Sequence, residues 1–310
     1  MSLTLLFAAG PGTLDEYHAP LRMALSDEGL DADLTDSAPP ESVDYIIYAP
    51  ASPLQDFTPF TRAKAVLSLW AGVERIVSNT TLTQPLARMV DPALTQGMVD
   101  YVCGHVLRYH LGMDAHITAR PGAWDAEVPP LATERRVTVL GLGALGQACA
   151  QALAGLGFAV TGWSSTPKDL DAIACMHGAD GLKAALQGAE ILVTLLPDTP
   201  QTENLLDART LALLPKGARI LNPGRGTLIE DEALLAALDS GQIGHATLDV
   251  FRTEPLPATH PYWHHPRVTV TPHIAAATRA ESAARVLARN IARVEAGEPL
   301  LHEVARARGY

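Results

Sequence analysis

Short apolar runs separated by amphipathic stretches organise this chain from end to end. Residues 3–9, 45–48 and 65–69 are runs of strand length, bounded by Gly, Pro, Asp or a polar turn. Residues 15–30 carry apolar positions at helical spacing and are expected to end near Gly29, while Pro39-Pro40, Pro50, Pro53 and Pro59 mark loops. From Met98 onward Val99, Val102, Val106 and Tyr109 recur at helical spacing. Six further strand candidates follow, at 137–140, 158–161, 191–196, 219–221, 246–250 and 268–271. A last long helix has Thr278 and Glu281 at capping-box spacing and an apolar face of Ala280, Ala284, Leu287, Ile291 and Val294 before Gly297.

Strands alternating with helices predict parallel sheets covered on both faces, an α/β protein. The 310 residues suit two domains. Six strands with intervening helices match a Rossmann-type doubly wound dinucleotide-binding domain. Too little chain follows them for a third domain, so the last helix is expected to complete the first. The predicted division is 1–98 plus 279–310 against 99–278, with a cleft between the two.

Residues 137–167 contain no Asp, Glu, Lys or Arg, which invites a membrane reading. Gly141, Gly143, Gly146, Gly155, Gly157 and Gly162 break that stretch into strand, turn, helix, turn and strand. The apolar start lacks a basic n-region and reads as a first strand rather than a signal peptide. A net charge of −11 makes nucleic acid and anionic membrane poor partners. Cys103, Cys149 and Cys175 form no CxxC pair and fit a reducing cytoplasm.

The clearest chemistry is Gly141-Leu142-Gly143-Ala144-Leu145-Gly146, a G-x-G-x-x-G that follows an apolar strand and opens a helix. Gly141 permits the turn, Gly143 lets backbone approach a pyrophosphate, and Gly146 lets helix and strand pack closely. The helix N-terminus, with Ala144 and Leu145, offers unpaired N–H groups to the phosphates. The next strand lacks the acidic residue that would bond a ribose 2′-hydroxyl: the chain reads Trp163-Ser164-Ser165-Thr166-Pro167-Lys168. Hydroxyls and a lysine there favour NADP(H), with NAD(H) as the alternative.

Three later motifs follow predicted strands: Asn222-Pro223-Gly224-Arg225-Gly226, Asp249-Val250-Phe251-Arg252-Thr253-Glu254-Pro255, and Thr271-Pro272-His273-Ile274-Ala275-Ala276. An arginine fork suits a carboxylate. A histidine is the natural proton donor near neutrality, and a neighbouring glutamate would favour its protonated form. His260, His264 and His265 lack a metal-ligand spacing, and no metal is expected.

With these motifs in order, the chain resembles the D-2-hydroxyacid dehydrogenase family, in its glyoxylate/hydroxypyruvate reductase branch. Leu69-Trp70-Ala71-Gly72-Val73-Glu74, Trp163-Ser164, Pro255-Leu256-Pro257 with His260-Pro261-Tyr262-Trp263, and Arg308-Gly309-Tyr310 carry the branch resemblance. The resemblance implies a flavodoxin-like substrate domain built from both chain ends. It implies Arg225, Glu254 and His273 as the catalytic set, and Trp70, Ala71, Gly72 and Val73, with Arg225 and His273, at the substrate. Leu196, Pro197, Thr202, Asn222, Pro223, Asp249 and Ala275 would join the glycine turn around the cofactor, although Thr202 is equally a helix-cap candidate. The implied reaction is reduction of a small 2-oxo acid, glyoxylate or hydroxypyruvate, by a homodimer. Larger acids such as phenylpyruvate, or a non-catalytic dinucleotide sensor on the same fold, are the alternatives. Trp70 stands where the family usually has a small residue, as a gate on substrate size or as core packing.

Overall fold

The computed structural model describes residues 2–122, 124 and 126–309, so Tyr310 of the terminal motif lies outside the described residues. The chain forms two compact units, Met1–Leu94 with Ala277–Tyr310, and Thr95–Ala276. The boundaries fall a few residues before the expected Met98 and Thr278. Met98 packs with Val102, Val106 and Val139 in the second unit's core, which draws the start of its helix there.

The first unit runs β1 (Leu3–Ala8), α1 (Thr13–Asp27), β2 (Ala32–Thr35), β3 (Tyr45–Tyr48), β4 (Ala65–Ser68), α2 (Glu74–Val77) and β5 (Leu86–Ala87) before α3 (Pro92–His110) leads into the second. Its sheet has the order β2-β1-β3-β4-β5, and every pairing is parallel. That is the flavodoxin-like doubly wound order. Strand periodicity assigns the two faces. Leu5, Phe7, Tyr45, Ile47 and Leu67 pack with α1 and the C-terminal helix; Leu6, Ile46, Tyr48 and Val66 pack with Phe57, Phe60 and Ile76. Both faces are covered, as a parallel sheet requires.

The second unit continues through α4 (Met113–Ile117), β6 (Arg136–Leu140), α5 (Ala144–Gly155), β7 (Ala159–Ser164), β8 (Ala174–His177), α6 (Gly178–Gly188), β9 (Ile191–Thr194), α7 (Ala208–Leu211), β10 (Ala218–Asn222), α8 (Asp231–Asp239), β11 (Ile243–Leu248) and β12 (Val268–Val270). α9 (Ala280–Glu295) then returns to the first unit. The second sheet is all parallel in the order β12-β11-β10-β9-β6-β7-β8. The order reverses between β6 and β9. Ligands of open α/β sheets bind at such a switch point, beyond the carboxyl ends of the strands.

Three strands escaped the pattern. β2 and β8 are short edge strands without a continuous apolar run, and β5 has two residues. β7 reaches Ser164 rather than ending at 161, because Gly162 leaves room for Leu142; a Cβ there would lie 2.7 Å from its Cδ2. The expected capping box does not form. Arg279 is the N-cap of α9, and the Thr278 hydroxyl donates instead to the Leu69 carbonyl at 2.8 Å. Trp124 is 93% exposed.

Candidate active site

The glycine turn follows β6 at the switch point, and two of its three glycines cannot be anything larger. Gly141 has φ +103°, and a Cβ on it would lie 2.4 Å from the Leu195 carbonyl oxygen. One on Gly146 would lie 1.7 Å from the Gly141 oxygen, so the helix can approach the strand only through glycine. Gly143 differs: a Cβ there would meet nothing within 4 Å. It is exposed, it is the N-cap of α5, and it offers no side chain to the first-turn N–H groups of Ala144 and Leu145. Open space in front of a helix N-terminus is what a phosphate needs.

At the end of β7, Ser164 is nearly buried and its hydroxyl donates to the Thr166 carbonyl at 2.7 Å. Ser165 and Lys168 are exposed beside it, with no carboxylate before Asp169. These residues fit a 2′-phosphorylated dinucleotide. Trp163 turns inward: its ring is in the core and its indole N–H donates to Gly178 at 2.8 Å, so only its backbone can face a ligand. Leu196 likewise packs in the core, and Pro197 follows it. Thr202 caps no helix. Its hydroxyl donates to the Pro197 carbonyl at 2.6 Å and accepts from the Thr199 N–H at 2.9 Å, closing the loop after β9.

Beyond β10 the chain turns on Asn222. Its carboxamide oxygen accepts from the Thr194 hydroxyl at 2.7 Å and from Gly224 N–H at 3.1 Å, and its nitrogen donates to the Arg225 carbonyl at 2.9 Å. Asn222 and Pro223 are buried and Arg225 is half-buried. Asn222 therefore shapes the turn that carries Arg225, a role its sequence position did not disclose. Arg225 Nη1 donates to the Gly224 carbonyl at 2.7 Å, which helps fix the guanidinium.

The segments after β11 and β12 bring Glu254 and His273 together. Glu254 Oε2 lies 2.8 Å from His273 Nδ1, and its Oε1 accepts from Phe251 N–H at 2.9 Å. A carboxylate accepts, so Nδ1 carries the hydrogen and Nε2 is the nitrogen left for other chemistry. The His273 side chain is 52% exposed. Its backbone φ is +54°, uncommon for a non-glycine residue. Asp249 imposes that conformation. Its carbonyl accepts from His273 N–H at 2.8 Å; its carboxylate accepts from the Thr271 hydroxyl at 2.6 Å and from the N–H groups of Ile274 and Ala275, both at 2.9 Å. Asp249 is 0% exposed, and its carboxylate is turned to the loop carrying His273. Thr271 is bonded in turn by Tyr101 of α3, O to O 2.6 Å. Arginine, glutamate and histidine thus stand on the carboxyl ends of β10, β11 and β12, in the unit whose glycine turn closes β6.

The family model described as D-isomer specific 2-hydroxyacid dehydrogenase, NAD binding domain, matches residues 105–275. The chain belongs to the D-2-hydroxyacid dehydrogenase family. A glyoxylate/hydroxypyruvate reductase A from Serratia proteamaculans (strain 568) is 40% identical over 245 residues, 76% of this chain and 78% of that protein. A D-isomer specific 2-hydroxyacid dehydrogenase from Xanthobacter autotrophicus Py2, solved in complex with NADPH and MES, is 40% identical with a TM-score of 0.93, covering 100% of both chains. An NADPH-dependent glyoxylate/hydroxypyruvate reductase from Sinorhizobium meliloti, solved with NADP and sulfate, is 32% identical with a TM-score of 0.87, also over 100% of both.

The remaining expected residues of this family member lie in the first unit. Trp70 follows β4, is 44% exposed and lies outside that unit's core, which removes the core-packing alternative. Its carbonyl accepts from Met89 N–H at 3.0 Å and from the Ser68 hydroxyl at 3.1 Å. Ala71 and Gly72 are partly exposed, and Val73 is the buried N-cap of α2. His260 and His265 face different carboxylates, Asp231 at 3.8 Å and Asp239 at 3.3 Å.

Proposed function

We propose that this protein reduces small 2-oxo acids, glyoxylate and hydroxypyruvate among them, to 2-hydroxy acids with NADPH, and that Arg225, Glu254 and His273 carry the reaction. The observation that supports it most directly is the 2.8 Å His273–Glu254 pair, which leaves Nε2 available on a ring that is half exposed. The assignment of substrate and cofactor follows the glyoxylate/hydroxypyruvate reductase relatives and their NADPH- and NADP-bound structures. NADPH is the preferred cofactor, with NADH as the alternative.

The first turn of α5 with Gly143 would hold the pyrophosphate, and Ser164, Ser165 and Lys168 the 2′-phosphate. When bound, the dinucleotide supplies a hydride. Arg225 fixes the substrate carboxylate through its planar fork and polarises the neighbouring carbonyl oxygen. His273, protonated on both nitrogens, gives the Nε2 proton to that oxygen as it gains negative charge. Glu254 keeps the ring oriented by holding Nδ1–H and balances the imidazolium charge before transfer. The exposed ring then regains its proton from solvent. Ala71, Gly72 and Val73 are assigned to the substrate carboxylate on the family resemblance, and Trp70, a departure from the family's usual small residue that stands 44% exposed directly before them, to limiting substrate size.

Dimerisation is also proposed. Ile117, Trp124, Val128 and Leu131 are large apolar side chains 70–93% exposed along one stretch of the second unit. Sedimentation at twice the 32.9 kDa chain mass is the expected result. A cytoplasmic location fits the three unpaired cysteines. The test of the main reading follows NADPH oxidation with glyoxylate in His273→Asn and Arg225→Ala. Both variants should retain NADPH binding. The first loses kcat by roughly 10²–10⁴-fold, and the second also gains KM. Near-normal kcat/KM in either removes that residue from the mechanism, and no turnover of any 2-oxo acid by the parent would favour a dinucleotide sensor.

A further inference from the structure

Arg252 ties the loop that carries Glu254 to the one that carries Arg225. It follows Phe251, whose N–H is bonded to Glu254, and precedes Glu254 by two residues. Its Nη2 donates to the carbonyls of Ile229 at 2.7 Å and Thr227 at 3.2 Å, and to the Asn204 side-chain oxygen. Thr227 lies on the single 3₁₀ turn (Gly226–Leu228) that begins directly after Arg225, and Ile229 closes it. Carboxylates of Glu203 and Asp231 stand 3.8 and 3.9 Å from the guanidinium.

The two backbones also touch. A Cβ on Gly226 would lie 2.0 Å from the Phe251 carbonyl carbon and 2.4 Å from Arg252 N. Arg225 and Glu254 therefore hang from segments pressed together at Gly226 and tied across by one side chain. Asn204 completes the tie: its φ is +51°, and its N–H donates to the same Thr227 carbonyl at 2.9 Å.

We propose that Arg252 is a positioning residue, whose guanidinium sets the spacing between Arg225 and the Glu254–His273 pair. The proposal rests on the function proposed above. A fork is required, because Nη2 meets the oxygen acceptors of two segments while Nη1 and Nε face the carboxylates of Glu203 and Asp231. Lysine keeps the charge but presents it as a point on a flexible stem. The bonds are made within one unit, and none involves the glycine turn after β6. Cofactor affinity is thus separable from reaction geometry.

The experiment compares Arg252→Lys and Arg252→Met with the parent in glyoxylate reduction, NADPH binding and a double-mutant cycle with Glu254→Gln. Arg252→Lys should lower kcat by about 10- to 100-fold, the scale of misplacement by about an ångström, with an unchanged NADPH Kd. In the Glu254→Gln background the same substitution should cost much less, because the group it positions is already altered. A merely structural arginine would lower Tm in both backgrounds and leave kcat unchanged. Full kcat in Arg252→Lys, or losses that add in the cycle, overturns the proposal. Arg252→Met serves as the stronger perturbation, and the lysine variant decides the matter if it fails to fold. Normal turnover in Glu254→Gln and Arg225→Ala alone would instead overturn the underlying functional reading, whatever Arg252 does.

Discussion

Replacing Asp249 by Asn tests whether the buried carboxylate holds the histidine in place. The change is nearly isosteric, yet all three groups facing the carboxylate are donors: the Thr271 hydroxyl at 2.6 Å and the N–H groups of Ile274 and Ala275 at 2.9 Å. Asparagine has one acceptor oxygen and two N–H donors. With its oxygen toward Thr271 and Ile274, its amide nitrogen meets Ala275 N–H, donor against donor. The opposite rotamer lets the Thr271 hydroxyl accept but strands Ile274 N–H. Either way one backbone donor loses its partner in a site with 0% exposure.

A hydrogen bond to a charged acceptor contributes about 1.5–3 kcal/mol, and a stranded buried donor costs about 1–3 kcal/mol. Removing a buried charge offsets part of this. The expected net loss is about 3 kcal/mol in the stability of the second unit. The catalytic effect follows from the backbone: His273 keeps φ +54° only while its neighbours are pinned, and release lets it relax away from Glu254. Urea unfolding followed by circular dichroism measures the first effect, and glyoxylate-dependent NADPH oxidation the second. A variant with parental stability and parental kcat would refute the account of Asp249.

Gly143→Ala should leave Tm unchanged, because a Cβ there meets nothing within 4 Å, yet raise the NADPH Kd by about tenfold or more if phosphate occupies that space; an unchanged Kd counts against the assigned pyrophosphate position. Ser164→Asp should shift preference toward NADH by repelling the 2′-phosphate, read as the ratio of kcat/KM for the two cofactors. Trp70→Ala should cost well under the ~3–5 kcal/mol of a buried aromatic, since the ring is 44% exposed, and raise kcat/KM for phenylpyruvate relative to glyoxylate; an unchanged ratio ends the size-limiting role. Burial, with Arg108 nearby, lowers the His245 imidazole from 6.5 to about 4. The folded state therefore holds it neutral, and its contribution to stability, complete above about pH 6.5, is lost as pH falls toward 4. His245→Gln should flatten the fall in Tm over that window, and an identical pH profile of Tm would exclude His245 as a contributor.

Legibility in the sequence tracked burial on both faces. Tyr45–Tyr48 and Ile191–Thr194 are buried at every position, so each reads as an unbroken apolar run. Ala32–Thr35 and Ala174–His177 are edge strands, half covered, and their polar neighbours conceal them. The candidate site divides the same way. The glycine turn is local, because Gly141 and Gly146 are constrained by each other and by one adjacent loop. The ties of Asp249 to residues 271–275, and of Arg252 to 204, 227 and 229, join segments that follow different strands. No spacing along the chain announces them. The missing capping box has the same cause: Thr278 has the right offset from Glu281, but the Leu69 carbonyl, 209 positions away, takes its hydroxyl.

Those long-range ties also explain how the exposed pair can be held in one geometry. His273 and Glu254 are 52% and 33% exposed, so their mutual attraction is weakened by solvent and would contribute little alone. A proton donor nevertheless has to reach substrate and solvent, which forbids burying it. The order must come from groups that water cannot reach. Asp249, at 0% exposure, holds the loop that carries His273, and Asn222, at 1%, holds the turn that carries Arg225, through bonds in a low-dielectric interior. Arg252, partly exposed, adds a side-chain tie between the loops that follow β10 and β11. Substitutions at the buried organisers should therefore reduce stability and turnover together. Substitutions at His273 should reduce turnover with stability nearly intact, since the ring is half exposed.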